Sequence, residues 1–260
     1  MLQPSEVAAF GRPIEEVLDG LLEAARGRAR APVSNYRVGA VALGESGRVY
    51  LGFNVELPGL DLSQTVHAEQ SLVALALAHE ETCLTALAVT APPCGHCRQF
   101  LQELQGGQEL QIHILGRPTM TLEQLLPDCF SPQDLGVKTY LFRHPDFDIA
   151  YDSQDRAVLC ALKAARRSYA PYSHCAAGVC LSTDDGQIWG GSYVENAAFN
   201  PSLSPLQAAL VHMLGADRRP EQIERAVLVH RPTLVDLESS TRAALNSLSP
   251  QLELQIVRIR

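Results

Sequence analysis

The chain repeats part of its own sequence, and this repeat limits the possible folds more than any other feature. When the sequence is shifted against itself by 139 residues, eight of the 26 positions from 31 to 56 are identical. Average composition gives only about one or two identities over such a window, and the period is far too long for a solenoid. The repeat therefore predicts two tandem copies of one domain. The identical residues are Ala31, Pro32, Ser34, Gly39, Gly47, Gly52, Val55 and Glu56, matched by Ala170, Pro171, Ser173, Gly178, Gly186, Gly191, Val194 and Glu195.

Helical and strand patterns alternate along both copies. Strands that alternate with helices predict a layered α/β domain in which strand ends and helix starts face a cleft. In the first copy the patterns predict helices over 13–30, 64–79 and 94–104 and strands over 37–43, 49–55, 85–90 and 110–115. In the second copy they predict helices over 155–167 and 205–214 and strands over 176–181, 188–193, 226–230 and 254–258.

The long connection at 117–152 contains four prolines, and we place the domain boundary late in it. The predicted organisation is an N-terminal helical segment over 1–30, a first domain over 31–150 and a second domain over 151–260.

Charge and cysteine content exclude several classes of protein. The 21 basic and 29 acidic residues give a net charge of -8, which argues against polymeric nucleic acid as a partner. No apolar run approaches the ~18 residues of a membrane span, and the N-terminus lacks a cationic stretch before an apolar core. Seven cysteines exclude a complete disulfide framework. We therefore expect a soluble cytoplasmic protein with no membrane partner.

One group of residues in the first copy carries the signature of a metal site. His67 and Glu69 open one predicted helix, and Cys94 and Cys97 open another. Two cysteines three residues apart lie on one face of a helical turn, where the N-terminal amides favour thiolates. One histidine and two thiolates make three of the four ligands of a tetrahedral zinc ion and leave a position for water. Glu69 is placed to exchange protons with that water.

These residues also admit other interpretations. His96 lies between the two cysteines and is the obvious fourth ligand of a closed structural site, but, at about 100° per residue, it points to a different side of the helix from both of them. We therefore expect it to have a polar or interface role. A redox dithiol formed by Cys94 and Cys97 would give no special use to His67 or Glu69. A zinc-stapled binding module would have no use for Glu69, Asn54 and Glu56 together.

The motif H-x-E followed by P-C-x-x-C resembles the signature of the zinc nucleoside and nucleobase deaminases. The strings SNYRVGA, GFNVE, HAEQS, PCGHCRQFLQEL and LLPDCFSPQDL resemble the cytidine deaminases. The repeat, the histidine ligand and the string GSYVENAAFNPSLSPLQAAL are similar to their longer, two-domain homodimeric branch. The resemblance covers nearly the whole chain. It implies a three-layer α/β/α domain, tandemly duplicated with a degenerate second copy.

The resemblance also implies roles for individual residues. His67, Cys94 and Cys97 would bind Zn²⁺, and Glu69 would be the catalytic acid and base. Activated water would attack C4 of cytosine while Glu69 protonates N3 and then the departing amine, so that a nucleoside, cytidine or deoxycytidine, is deaminated with release of ammonia in pyrimidine salvage. The implied substrate contacts are Asn54 and Glu56 to the ribose hydroxyls, the backbone at Ala68 to the pyrimidine carbonyl, and Tyr36 and Phe130 around the base.

The chain departs from the resemblance at Val33, where a tyrosine is expected, and at Ser131, where a glycine is expected. These departures affect the rim of the site. A deoxycytidylate, guanine or RNA-editing deaminase is the nearest alternative, but no basic cluster for a phosphate accompanies the motifs of the first copy. With a one-residue gap, His67 falls over Pro205 and Glu69 over Gln207, so the second copy is predicted to be catalytically inactive.

Overall fold

A computed structural model describes residues 1–260, and the chain divides into two compact units. Most of the first unit comes from the N-terminal half of the chain and most of the second from the C-terminal half. One short segment from each half belongs to the unit of the other half. The first unit comprises Met1–Glu56, Thr65–Arg143 and Asn196–Pro201, and the second comprises Leu57–Gln64, His144–Glu195 and Ser202–Arg260.

The first unit contains a five-stranded sheet in the order β2-β1-β3-β4-β5. Strands β3 and β4 are parallel, and the other neighbouring pairs are antiparallel. The elements are α1 Pro4–Ala8, α2 Ile14–Gly27, β1 Gly39–Gly44, β2 Val49–Phe53, α3 Ala68–Ala78, β3 Leu84–Val89, α4 Gly95–Leu101, β4 Gln111–Ile114, β5 Met120–Thr121 and α5 Leu122–Leu125.

The second unit has a four-stranded sheet in the order β7-β6-β8-β9, in which β8 and β9 are parallel. Its strand arrangement therefore repeats the first sheet without the short edge strand. The elements are α6 Arg156–Arg166, β6 Ala177–Thr183, β7 Ile188–Ser192, α7 Pro205–Gly215, β8 Ile223–His230, α8 Leu237–Leu248 and β9 Leu254–Arg258. None of the helices in the chain has the length and apolar character that a membrane span requires.

Two glycines of the repeat explain why each sheet has helices on both faces. A Cβ atom on Gly39 would lie 2.7 Å from the carbonyl oxygen of Leu22 in α2, and one on Gly52 would lie 2.6 Å from Cβ of Leu72 in α3. Gly52 pairs with Ala40, the neighbour of Gly39. Since successive residues of a strand point to opposite faces, α2 and α3 cover opposite faces of the sheet. The predicted three-layer α/β/α architecture is confirmed.

The second unit uses the same device. A Cβ atom on Gly178 would lie 2.7 Å from the backbone of Ala164 in α6, and one on Gly191 would lie 2.5 Å from the carbonyl oxygen of Pro205 in α7. These glycines are identical in the two copies because a helix backbone packs directly on the strand at each of them.

These contacts also correct the alignment of the two copies. Gly52 faces Ala68 and Leu72 of α3, whereas Gly191 faces Pro205 and Ala209 of α7. The helices are therefore offset by 137 residues, and the predicted one-residue gap is wrong. The preceding loop is shorter by two residues in the second copy. His67 and Glu69 correspond to Ser204 and Leu206 rather than to Pro205 and Gln207, and Gln70 corresponds to Gln207.

Candidate active site

Two helix N-termini bring three potential metal ligands together in the first unit. His67 is the N-cap of α3, Cys94 is the N-cap of α4, and Cys97 lies in the first turn of α4. Nδ1 of His67 is 3.4 Å from Sγ of Cys94 and 3.3 Å from Sγ of Cys97, and the two sulfurs are 3.7 Å apart. The structure thus places the three predicted ligands in one compact triangle.

The size of this triangle fits zinc. Bonds of about 2.3 Å to sulfur and about 2.0 Å to nitrogen in a tetrahedron give edges of about 3.8 Å between sulfurs and about 3.5 Å between sulfur and nitrogen. The observed separations are 3.7 Å and 3.3–3.4 Å. Three ligands leave the fourth position of the tetrahedron open, as in catalytic rather than structural zinc sites.

The two thiols differ in their readiness to ionise. The pKa of Cys94 is lowered to about 3. The main cause is its hydrogen bond with the Cys97 thiol, and the hydrogen bond with His67 lowers the pKa further. The pKa of Cys97 is raised, because its proton is shared with Cys94 and because its side chain is buried. One thiolate is therefore present before a metal binds, and binding would displace the second proton.

Glu69 lies in the first turn of α3 and is only 3% exposed. Burial raises the pKa of its carboxyl group, although its own backbone N–H and the Cys97 thiol oppose the shift. Its Oε2 atom is 3.2 Å from Sγ of Cys97. An acid beside a metal site whose pKa is raised can both hold a proton and give it up.

A cavity of about 470 Å³ opens onto these groups, which is within the usual range for small-molecule sites. It brings together seven of the nine predicted site residues, and the other five lining residues, Ser34, Val38, Thr65, Ala91 and Pro92, were not predicted as site residues. The lining is Ser34, Tyr36, Val38, Asn54, Glu56, Thr65, His67, Ala68, Glu69, Ala91, Pro92 and Cys94.

Two predicted residues relate differently to the cavity. Cys97 is not among the lining residues and is 1% exposed, and its sulfur is 3.7 Å from that of the lining residue Cys94. Phe130 does not line the cavity, and its side chain is 45% exposed. Tyr36 does line the cavity but is 63% exposed, so it lies at the rim.

Asn54 and Glu56 line the cavity while also holding its loop. Oδ1 of Asn54 accepts a hydrogen bond from the Val38 N–H, and Nδ2 donates to the Tyr36 carbonyl, both at 2.9 Å. The Glu56 carboxylate accepts from the N–H groups of Val33 and Ser34 and from the Ser34 hydroxyl. Burial alone would raise the pKa of Glu56, but these hydrogen bonds outweigh it and lower the pKa.

His96 lies beside the metal ligands and outside the triangle that they form. Its ring stacks on the His67 ring, with 5.5 Å between centroids and 16° between planes. Burial and the neighbouring His67 lower the pKa of His96. Nε2 of His96 is 3.2 Å from the side-chain nitrogen of Gln70. Gln70 was not among the site residues predicted from the sequence.

The second unit has no equivalent site. The helix caps place Ser204 and Asp236 where the first unit has His67 and Cys94. Tyr193 occupies the position of Asn54 and packs in an apolar cluster with Cys175 and Leu237. Leu206 stands at the position of Glu69, and the counterparts of the cavity-lining residues Tyr36, Val38 and Asn54 are Cys175, Ala177 and Tyr193 of this cluster.

Comparisons with known proteins agree with the chemistry of the site. Two segments, residues 14–112 and 122–242, match models described as the cytidine and deoxycytidylate deaminase zinc-binding region. The chain is 47% identical over 229 residues to cytidine deaminases of Yersinia pestis (strain Pestoides F) and Yersinia pseudotuberculosis serotype O:1b (strain IP 31758), covering 88% of this chain and 78% of each relative. A crystal structure of cytidine deaminase from Mycobacterium leprae is 33% identical, with a TM-score of 0.41, and aligns over 45% of this chain and 100% of that one.

Proposed function

This chain belongs to the family of zinc-binding cytidine and deoxycytidylate deaminases, and we propose that the cavity at His67, Cys94 and Cys97 is its active site. The enzyme catalyses the zinc-dependent hydrolytic deamination of cytidine to uridine, with release of ammonia. The observation that carries the assignment is the ligand triangle of zinc dimensions beside a buried carboxyl group, Glu69.

Zinc held by His67, Cys94 and Cys97 would activate a water molecule as a nucleophile. Glu69 takes a proton from the water and delivers it to N3 of the cytosine ring as the new bond forms at C4. It then passes the second proton to the exocyclic amine, which leaves as ammonia. Because burial raises the pKa of Glu69, its carboxyl group can accept each proton in turn and then release it.

Asn54 and Glu56 have hydrogen-bonding capacity left for the ribose. One hydrogen of the Asn54 amide is used by the Tyr36 carbonyl, so the second is available to a hydroxyl oxygen. Three of the roughly four acceptor positions of the Glu56 carboxylate are used by its own loop. The last can accept a ribose hydroxyl. The N–H groups that open α3 at Ala68 have no partner within the helix and are suited to the pyrimidine carbonyl.

A substrate panel tests this assignment. Cytosine, cytidine, deoxycytidine, CMP and adenosine are each incubated with the zinc-loaded protein while ammonia release is followed. Turnover confined to cytidine and deoxycytidine supports a nucleoside enzyme. Preferential turnover of CMP would assign the chain to the deoxycytidylate-type alternative. Turnover of cytosine at the rate of cytidine would contradict the proposed ribose contacts.

Asn54→Ala provides a separate test of the ribose contact. A polar site that loses one of its hydrogen-bonding groups discriminates less well between substrates that differ by a hydroxyl. We expect kcat/KM for cytidine to fall while the residual rate with cytosine stays the same. Unchanged kinetics with cytidine would exclude Asn54 from the ribose site.

We further propose that the domain over 31–150 is catalytic and that the domain over 151–260 is not, since the equivalents of His67 and Glu69 are Ser204 and Leu206. A two-domain enzyme with one such site would bind one zinc ion per chain. The free state of all seven cysteines suits a reducing compartment, the cytoplasm.

A homodimer is proposed because Phe130 lies outside the cavity of its own chain. Its ring is 45% exposed, so in a homodimer it could pack on a base bound by the second copy. Mixing Phe130→Ala protein with inactive Glu69→Gln protein tests this, because a mixed dimer would combine an intact Glu69 with an intact Phe130. Recovery of activity supports the dimer, and a monomer by light scattering contradicts it.

A further inference from the structure

Gln70 is a buried side chain that the reaction does not use directly. It follows Glu69 in the first turn of α3 and is 2% exposed. Its Oε1 atom accepts a hydrogen bond from the backbone N–H of His67 at 3.1 Å. Its Nε2 atom lies 3.0 Å from the carbonyl oxygen of Pro201 and 3.2 Å from Nε2 of His96. One amide therefore connects a zinc ligand to two other parts of the first unit.

Gln70 and His96 both contact the carbonyl of Pro201. The amide nitrogen of Gln70 donates to this carbonyl, and the His96 ring also hydrogen-bonds it. Nε2 of His96 lies 3.2 Å from the same amide nitrogen. Because the His96 ring stacks on the His67 ring, Gln70 restrains His67 at its backbone directly and at its ring through His96.

The carbonyl of Pro201 is itself held in place. It ends the segment Asn196–Pro201, which belongs to the first unit. Nδ2 of Asn196 donates to the Gln99 carbonyl at 3.0 Å, and the Ala197 N–H donates to Oε1 of Glu103 at 2.7 Å. Asn196 and Glu103 are fully buried. The segment is thus anchored to α4 and the residues after it, and it offers Gln70 a fixed acceptor.

The second unit contains the same arrangement without any metal ligands. Oε1 of Gln207 accepts from the Ser204 N–H at 2.9 Å, and Nε2 of Gln207 donates to the Gln64 carbonyl at 2.8 Å. Ser204 is the helix cap equivalent to His67. The duplication therefore separates stabilisation of the helix start from orientation of the zinc ligand. Gln207 can only stabilise its helix start, whereas Gln70 also contacts a ring stacked on a zinc ligand.

We propose that Gln70 and His96 are positioning residues that hold His67 in the orientation that binds zinc, with the segment Asn196–Pro201 as their anchor. Nδ1 of His67 faces the sulfurs of Cys94 and Cys97 only if both the backbone and the ring of His67 are fixed. Residues that orient metal ligands commonly contribute about 10–100-fold to metal affinity. This inference rests on the proposed zinc site.

The test compares Gln70→Met with its matched control, Gln207→Met, in the full-length protein. Methionine keeps the length of the side chain and removes the same pair of backbone hydrogen bonds in each unit. Zinc affinity is measured by competition with a chelator, and the thermal unfolding midpoint is measured on both variants. We expect similar losses of stability, a 10–100-fold loss of zinc affinity for Gln70→Met, and a change of less than threefold for Gln207→Met.

His96→Ala keeps the proposal testable if Gln70→Met does not fold. His96 is partly exposed, and its removal leaves the backbone hydrogen bond of Gln70 to His67 in place. We expect zinc affinity to fall about tenfold, at the lower end of the range for such residues. Unchanged zinc affinity in His96→Ala, or equal zinc affinities in the two methionine variants, would overturn the positioning role.

Failure of this inference is distinguishable from failure of the proposed function. The wild-type protein is assayed first for zinc content and for ammonia release from cytidine. A wild type without either would reject the proposed site. A wild type with both, together with unaltered zinc affinity in Gln70→Met and His96→Ala, would reject only the positioning role.

Discussion

Replacing Gly52 with alanine tests whether close packing of strand β2 on helix α3 sets the position of the catalytic groups. The new Cβ atom would lie 2.6 Å from Cβ of Leu72, and the Ala68 carbonyl oxygen would also be too close. Ordinary van der Waals contact begins at 3.4 Å, so the start of α3 has to retreat by about 1 Å. That segment carries His67 and Glu69.

This displacement predicts both a loss of stability and a loss of catalytic rate. Overpacking of a well-packed interior costs about 1–3 kcal/mol, which is less than the ~5–15 kcal/mol that stabilises a typical domain. The variant should therefore fold. A misplacement of about 1 Å in a catalytic site costs about 10²-fold in rate, so kcat/KM for cytidine should fall by about two orders of magnitude.

Gly191→Ala is the matched control, because the same packing occurs against α7 in the second unit. Its Cβ atom would lie 2.5 Å from the Pro205 carbonyl oxygen, yet α7 carries no ligand or acid. Urea unfolding and steady-state kinetics are measured on both variants. We expect comparable losses of stability and a large loss of activity for Gly52→Ala alone. Wild-type kinetics in Gly52→Ala, or an equal loss of activity in Gly191→Ala, would refute the reasoning.

Three further predictions concern single side chains. Glu69→Gln should keep one zinc ion per chain and lose at least ~10²–10⁴-fold in turnover, because an amide cannot exchange protons; metal analysis with ammonia release checks both, and near-normal turnover would contradict the mechanism. Cys94→Ala should lose zinc and turnover together, since two protein ligands remain; two zinc ions per wild-type chain would contradict a single site. Burial alone would raise the pKa of Glu81, but hydrogen bonds from Ser46, Thr82 and Tyr50 outweigh it and lower the pKa. The stability that this carboxylate adds is therefore present above its unfolded pKa of 4.5 and is lost as the pH falls through its lower folded pKa. The free energies of unfolding of wild type and Glu81→Gln, measured in urea, should differ by about 1.5–3 kcal/mol at pH 7 and converge in acid. A difference that does not change with pH would contradict a stabilising role of the carboxylate.

Much of the fold and the metal site followed from local patterns in the sequence. The proximity of His67, Cys94 and Cys97 was predictable because two cysteines three residues apart share one face of a helical turn and because helix starts face the same cleft of a layered α/β domain. The repeated glycines predicted a duplicated domain, and Gly52 and Gly191 now have a common physical reason in direct helix packing.

Other features were missed for identifiable reasons. Helix α8 was not predicted, although Asp236 caps it through the N–H groups of Glu238 and Ser239 and apolar residues such as Leu237 and Leu245 recur along one face; the local signal was present. Strand β5 has two residues and helix α5 has four, too few for periodicity to detect. The membership of Asn196–Pro201 in the first unit depends on tertiary hydrogen bonds, which no local pattern encodes.

The duplication also separates residues that maintain the fold from residues that carry the chemistry. Glu56 and Glu195 make the same three hydrogen bonds to equivalent loops, from two backbone N–H groups and one serine hydroxyl each. Glu195 does this in a unit whose helix caps are Ser204 and Asp236 instead of His67 and Cys94, so loop anchoring alone accounts for a glutamate at this position. Loss of activity on replacing Glu56 would therefore combine a collapsed loop with a lost ribose contact. Asn54 has Tyr193 as its counterpart, which packs in an apolar cluster, so the repeated fold does not require an asparagine at this position. Its replacement still removes the hydrogen bonds to Val38 and Tyr36, so the rate with cytosine is needed to separate a loop effect from a lost ribose contact.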